Sequence, residues 1–294
     1  MAAIVIDGKV IAAKVNEETR VRVGRLKERG INPCLAVILV GENPASLSYV
    51  KGKQKALAEA GMESRDFRLA ETVSEGELLS LVASLNADPR VHGILVQLPL
   101  PPRIRESLII NAIDPGKDVD CFHPVSLGKL LQGQDGFLPC TPHGIVVLLR
   151  ELHIPVSGSH TVIVGRSNIV GKPLSVLLAR RELNATVTLC HTGTRDLASH
   201  TRSADILIAA AGNPGLIKGD MIKQGAAIID VGVNRVPDSS AKKGYRLRGD
   251  VDFDEAVQTA GWITPVPGGV GPMTIAMLGR NVAEAAEKRG TGNG

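Results

Sequence analysis

Tyr49 and Lys53 stand four residues apart in Tyr49-Val-Lys-Gly-Lys53, a spacing that puts both on one face of a helix. A ring and an amine on a shared face can act as a stacking platform and a proton carrier. The alternative is a half-buried tyrosine beside a solvated lysine. Gln97 ends the apolar stretch Gly-Ile-Leu-Val-Gln, where an amide can orient a ligand or a lysine, or simply close a loop. Asp114, Asp118 and Asp120 crowd a turn-rich stretch, and loop carboxylates of this kind are ordinarily solvated. Residues 264–274 read Thr-Pro-Val-Pro-Gly-Gly-Val-Gly-Pro-Met-Thr, with three prolines and three glycines. Such a segment is expected to interrupt helix and ladder alike, and its bare main chain can approach a flat or anionic ligand.

A second constellation follows an apolar strand at 161–164, in Gly165-Arg-Ser-Asn-Ile-Val-Gly171-Lys-Pro173. The dinucleotide fingerprint G-x-G-x-x-G is not met, because Ser167 and Val170 stand where glycines belong. The physical parts are nonetheless present. Gly165 permits a turn at the strand end, Ser167 offers a hydroxyl, Gly171 allows close approach, and Pro173 suits a first helical turn. A helix N-terminus placed there favours a phosphate. The next strand ends Leu-Cys-His-Thr192, without the carboxylate that holds the ribose hydroxyl of NAD. Arg166 is placed to meet a 2′-phosphate instead, which favours NADP; the other reading is a solvated surface charge. Gly193 removes a position where a second cation could have helped.

The elements that must carry these residues alternate between helix and strand. Helical patterns cover 8–29, 46–60, 74–87, 144–152 and 275–288, the third opened by the capping box Ser74-x-x-Glu77. Short apolar strands fall at 34–40, 93–98, 161–164, 186–190, 205–210, 226–231 and 262–264. The alternation predicts an α/β protein with parallel sheets. Two βα lobes would flank a cleft, the second of them a Rossmann-like, NADP-binding lobe. The boundaries expected are 1–141 for a catalytic domain, 142–272 for the nucleotide domain, and 273–294 for a C-terminal helix returning to the first.

The 294 residues are 44% hydrophobic, which suits two folded cores and excludes disorder. A net charge of +4, spread along the chain, and only 2% aromatics argue against a nucleic-acid groove. No apolar run reaches 18 residues and no signal-peptide pattern is present, so a soluble cytoplasmic protein without a membrane partner is expected. Cys34, Cys121, Cys140 and Cys190 are widely spaced and read as reduced, mostly buried thiols. Neither they nor the seven histidines show metal-ligand spacing, so no metal is expected.

Eight motifs occur in one order: Tyr49-Val-x-x-Lys53, Val96-Gln97-Leu98-Pro99, Lys117-Asp-Val-Asp120, Pro139-Cys-Thr-Pro142, Gly165-Arg-Ser-x-Ile-Val-Gly171-x-Pro173, Asp230-Val-Gly-x-Asn234, Gly249-Asp-Val-Asp-Phe253 and Pro267-Gly-Gly-Val-Gly-Pro-Met-Thr274. Spanning about residues 5–285, the series resembles the bifunctional methylenetetrahydrofolate dehydrogenase/methenyltetrahydrofolate cyclohydrolase family. That resemblance implies hydride transfer from 5,10-methylenetetrahydrofolate to NADP⁺, then hydrolysis of the methenyl cation to 10-formyltetrahydrofolate, a one-carbon donor in purine biosynthesis. It also implies a homodimer.

Carried over by position, the resemblance makes Lys53 the acid/base, held by Gln97, with Tyr49 stacking on the folate and Asp120 binding the pterin. Val96, Leu98 and the main chain of Pro267, Gly268, Gly269, Val270 and Gly271 would line the folate side. Gly165, Arg166, Ser167, Thr192 and Val233 match the nucleotide contacts. A lysine at the ordinary pKa of about 10.4 is a poor base at neutral pH. Two departures stand out. Cys121 replaces the glycine that usually follows Lys-Asp-Val-Asp, and a side chain there is expected to shift the Asp120 loop. Thr192-Gly193 replaces the usual serine and basic residue, leaving coenzyme discrimination to Arg166. Rival readings are a monofunctional NAD(P)-dependent dehydrogenase, which the retention of Lys53 and Gln97 opposes, and a non-catalytic folate- or nucleotide-binding protein, which Lys53 opposes.

Overall fold

The computed structural model describes residues 3–241 and 244–291, leaving out the side chains of residues 44, 45, 48, 49 and 291. In chain order the elements are β1 (Ile4–Val5), α1 (Gly8–Glu28), β2 (Cys34–Val40), α2 (Pro44–Glu59), β3 (Glu63–Leu69), α3 (Glu75–Ala87), β4 (Gly93–Val96), α4 (Glu106–Ala112), α5 (Pro124–Gln132) and α6 (Cys140–Glu151). There follow β5 (His160–Val164), α7 (Gly171–Ala179), β6 (Thr186–Cys190), α8 (Leu197–Arg202), β7 (Ile206–Ala209), β8 (Ala227–Asp230), β9 (Asn234–Pro237), β10 (Tyr245–Arg248), α9 (Phe253–Ala256), β11 (Trp262–Ile263) and α10 (Val270–Thr291). The chain divides into two compact units, Ala13–Cys140 with Ile275–Gly294, and Met1–Ala12 with Thr141–Thr274.

The first unit is built on a three-stranded parallel sheet, β3-β2-β4. β2 reads Cys-Leu-Ala-Val-Ile-Leu-Val and is buried at all seven positions, as a central parallel strand covered on both faces must be. Ala36, Ile38 and Val40 pack with Leu78, Val82 and Leu85 of α3 and with Ile94 and Val96 of β4. The capping box forms as expected: Glu77 N–H donates to Ser74 Oγ at 3.2 Å, and Ser74 N–H to Glu77 Oε2 at 2.8 Å. On α10, buried Asn281 donates through Nδ2 to Val119 O at 2.8 Å and Leu138 O at 3.0 Å.

The second unit holds a six-stranded parallel sheet in the order β1-β11-β8-β7-β5-β6. From β5 onward this is the doubly wound order 2-1-3-4-5, with its switch point at the carboxyl ends of β5 and β7. Its core is Val162, Val164, Leu207, Ala209, Ile228 and Ile263, closed by Ile217, Val251 and Ala256.

Several expectations are corrected. Residues 1–12 group with the nucleotide unit, because β1 pairs in parallel with β11 (Ile4 opposite Trp262). β3, Glu-Ser-Arg-Asp-Phe-Arg-Leu, escapes an apolar pattern because it is an edge strand with no position fully buried. Two helices start earlier than their prolines suggested: α6 at Cys140, ahead of Pro142, and α10 at Val270, ahead of Pro272. In a first helical turn a proline loses no intrahelical hydrogen bond.

Candidate active site and coenzyme loop

Lys53 lies on α2 and is only 8% exposed, so the solvated-lysine alternative is excluded by packing. Its Nζ lies 3.4 Å from Oε1 of Gln97, just beyond the end of β4. Gln97 Nε2 donates to Leu98 O at 2.8 Å, and Gln97 N–H to Ile38 O at 2.9 Å. The first bond sets the orientation of the amide, so that its oxygen rather than its NH₂ faces the amine. Val96 is buried in the sheet and Leu98 is partly buried. The backbone of Tyr49 is helical within α2, but its side chain lies outside those described.

Asp120 sits half-buried in a loop anchored residue by residue. Lys117 is fully buried, its Nζ donating at 2.7 Å to both Leu85 O and Asp88 O at the end of α3. Burial brings its pKa down to about 8. Asp118 accepts from the N–H groups of Phe122 (3.1 Å) and His123 (2.9 Å), and burial raises its pKa. Val119 fills the space opposite Gly93, where a Cβ would come within 2.7 Å of it. Cys121 keeps the left-handed backbone a glycine would adopt, with φ of 61°, and its buried Sγ donates to Phe137 O at 3.1 Å. The loop therefore carries a Cβ at a backbone conformation that favours glycine.

Cys140 completes this group and is the member sequence reading missed. Its thiol donates to Val119 O at 3.4 Å and lies near the Asp120 carboxylate. Burial, then the Asp120 carboxylate, push its pKa well up, against an opposing pull from Lys53. The thiol accordingly keeps its proton. A cysteine at the head of a helix, followed by Thr-Pro, was the only available signal.

In the second unit, Gly165 follows β5 with φ of 131°. A Cβ there would lie 2.0 Å from Ala210 O, and one on Gly171 would lie 1.9 Å from Gly165 O. Both positions therefore need glycine, and the bare loop runs into the nine-residue helix α7. Ser167 Oγ accepts from Val170 N–H at 3.1 Å, which closes the turn. Arg166 and Ser167 are exposed, and Arg166 has no ion pair among the described residues. Thr192 is exposed after β6, and Val233 is 41% exposed after β8. A glycine cradle, a free cation and a helix N-terminus fit a dinucleotide phosphate.

Pro267–Gly271 also belongs to the second unit. Gly269 N–H donates to Pro265 O at 2.9 Å, and a Cβ on Gly8 would lie 1.8 Å from Gly269 O. The four cysteines are buried and free of disulfides. Among the described residues no group of three or more His, Cys, Asp or Glu could hold a metal, and no helix is long and apolar enough to cross a membrane.

Fold and site together define an α/β protein with a Rossmann-like unit suited to a dinucleotide phosphate and a unit that carries a buried lysine. Residues 6–120 match the catalytic domain of tetrahydrofolate dehydrogenase/cyclohydrolase, and residues 139–290 match its NAD(P)-binding domain. The chain belongs to that family. It is 56% identical over 288 residues to the bifunctional protein FolD of Moorella thermoacetica, covering 98% of this chain and 100% of that one. A crystal structure of the bifunctional FolD enzyme from Campylobacter jejuni superposes with a TM-score of 0.93 at 49% identity, covering 98% and 100%. The Trypanosoma brucei enzyme, solved with NADP cofactor and an inhibitor, gives 0.94 at 41% identity, covering 98% of each chain.

Proposed function

We propose that Lys53, held by Gln97, is the proton carrier for two consecutive reactions on one folate, with Asp120 binding the pterin. The reactions are NADP-dependent oxidation of 5,10-methylenetetrahydrofolate and hydrolysis of the methenyl product to 10-formyltetrahydrofolate. The observation that carries this reading is the buried Lys53 amine 3.4 Å from an amide oxygen whose orientation is set by a second hydrogen bond.

In the first reaction a C–H bond of the methylene bridge breaks with its electron pair, leaving a cation shared by two nitrogens. NADP⁺, when bound, supplies the hydride acceptor. The chain's own task in this step is orientation, since no strong base is needed. In the second, water adds to the methenyl carbon, the C–N5 bond breaks and N5 takes a proton, with one proton released overall. Lys53 takes the proton of the attacking water and returns one to N5. Asp120, anchored through its loop beside the Cys140 thiol, accepts hydrogen bonds from the pterin N–H groups. Tyr49 supplies a stacking ring.

On the coenzyme side, Gly165, Ser167, Thr192 and Val233 would hold the dinucleotide, while Arg166 pairs with its 2′-phosphate. The family resemblance supports a homodimer working in the cytoplasm and supplying formyl groups for purine synthesis; light scattering tests the dimer. One spectrophotometric assay tests the function. Methenyl-folate absorbance should rise and then decay with NADP⁺ and rise much less with NAD⁺. Failure to form methenyl-folate with either coenzyme would sink the reading.

A further inference from the structure

Two buried carboxylates in the nucleotide unit take no part in the scheme above. Asp230, at the end of β8, is 3% exposed, and Asp250, just after β10, is fully buried. Among the described residues neither is paired with a cation; main-chain N–H groups and one amide satisfy them. Asp230 Oδ1 accepts from the N–H groups of Gly232 and Asp250, and Oδ2 from that of Val251, all at 2.9 Å. Asp250 Oδ2 accepts from the N–H groups of Ala211 (2.6 Å) and Gly212 (2.9 Å), and Oδ1 from Asn234 Nδ2 at 2.8 Å. Asp230 N–H in turn donates to Thr264 Oγ1 at 2.7 Å, beyond β11.

The pair therefore ties together the chain segments leaving the carboxyl ends of β7, β8 and β11, the edge at which an open parallel sheet binds its ligand. The packing leaves no slack. A Cβ on Gly232 would sit 2.3 Å from Asp250 Oδ1, and one on Gly249 would sit 1.8 Å from Asp230 Oδ2. Two connections lead from this knot to the coenzyme loop. Ala210, next to the anchored Ala211, presents the carbonyl against which Gly165 is packed. Val233, exposed although apolar, lies between Gly232 and Asn234, each bonded to one of the two carboxylates.

We propose that Asp250, braced by Asp230, is a positioning residue for the nicotinamide coenzyme. It sets the main chain of 210–212 and 231–234 against the Gly165 loop, so that the site is preformed before NADP⁺ arrives. The carboxylates are buried and fully engaged, so they act through those loops and do not touch the ligand. This rests on the NADP reading above.

The test is the dissociation constant of NADP⁺, measured by calorimetry on the full-length chain, alongside steady-state kinetics. Asp250→Asn keeps the shape but turns an NH₂ toward one set of donors. It should raise the Kd and the KM for NADP⁺ about tenfold or more. The coenzyme-free cyclohydrolase rate should stay within about twofold. Asn234→Ala removes a single donor and should raise the Kd about threefold, in the same direction. An unchanged Kd in folded Asp250→Asn overturns the proposal, and so does a cyclohydrolase loss equal to the loss of affinity. Should Asp250→Asn not fold, an unchanged Kd in Asn234→Ala overturns it alone. Wild-type protein that binds no NADP⁺ overturns the coenzyme reading itself, whereas wild type and variants binding equally overturn only this proposal.

Discussion

Lys53 Nζ and Gln97 Oε1 meet at 3.4 Å, joining helix α2 to the end of β4 across 44 residues of sequence. Neither partner is free to turn away. The lysine is buried on its helix, and the amide is bonded through its own NH₂ to the next carbonyl. An amine held in this way can exchange a proton with a bound substrate without first losing side-chain freedom.

Lys53→Met keeps the helix and most of the buried volume but removes the proton carrier. The cyclohydrolase rate should fall by about 10²–10⁴, while dehydrogenase activity survives at a reduced level. Methenyl-folate should then accumulate in the dehydrogenase assay. Undiminished hydrolysis by folded variant would remove Lys53 from the mechanism.

Arg166→Ala tests the coenzyme assignment. The exposed guanidinium has no ion pair among the described residues, so its loss should leave stability within about 0.5 kcal/mol. NADP⁺ binding should weaken by roughly 1–3 kcal/mol and NAD⁺ binding far less. Equal losses for the two coenzymes would show that Arg166 does not read the 2′-phosphate.

Cys121 offers a stability test with an inverted sign. At an ordinary site glycine is less stable than alanine by roughly 0.5–1 kcal/mol, but a left-handed backbone costs a Cβ-bearing residue about 1–2 kcal/mol. With φ of 61° at this position, Cys121→Gly should be more stable than Cys121→Ala by about 1 kcal/mol, although both lose the thiol bond to Phe137 O. Urea denaturation of the two variants decides it; the alanine variant proving the more stable would refute the strain.

The Asp230 carboxyl gives a pH dependence. Burial raises its pKa to about 7; the three N–H donors oppose that rise and the Asp250 charge adds to it. Between the ordinary value of 3.8 and about 7 the unfolded chain then binds fewer protons than the folded one. Stability from this group therefore falls as pH rises through that window, and its penalty is fully present above it. The unfolding free energy of the wild type, measured against Asp230→Asn from pH 5 to 8, should decline more steeply with pH. Parallel profiles would show that Asp230 is ionised throughout.

Much of this molecule is legible in one dimension. An unbroken apolar run such as 34–40 has no reason to exist except as a strand buried on both faces, and β2 has those limits. Ser74 and Glu77 form their reciprocal bonds within four residues, so a local pattern suffices to find them. Gly165 and Gly171 read correctly because the close main-chain approaches they permit belong to one strand–loop–helix unit.

What only the tertiary structure decided are the relations between distant segments. The pairing of β1 with β11 and the placing of polar β3 at a sheet edge depend on partners far away in the chain. So do the meeting of Cys140 with Asp120 and the bonds from Asp250 to Ala211, Gly212 and Asn234. An aspartate in a loop reads as solvated from its neighbours in sequence. It becomes a buried anchor only when folding brings main-chain N–H donors from other strands to its two oxygens. Burial without those donors would cost several kcal/mol, so the carboxylate and the loops it holds are settled together, in three dimensions.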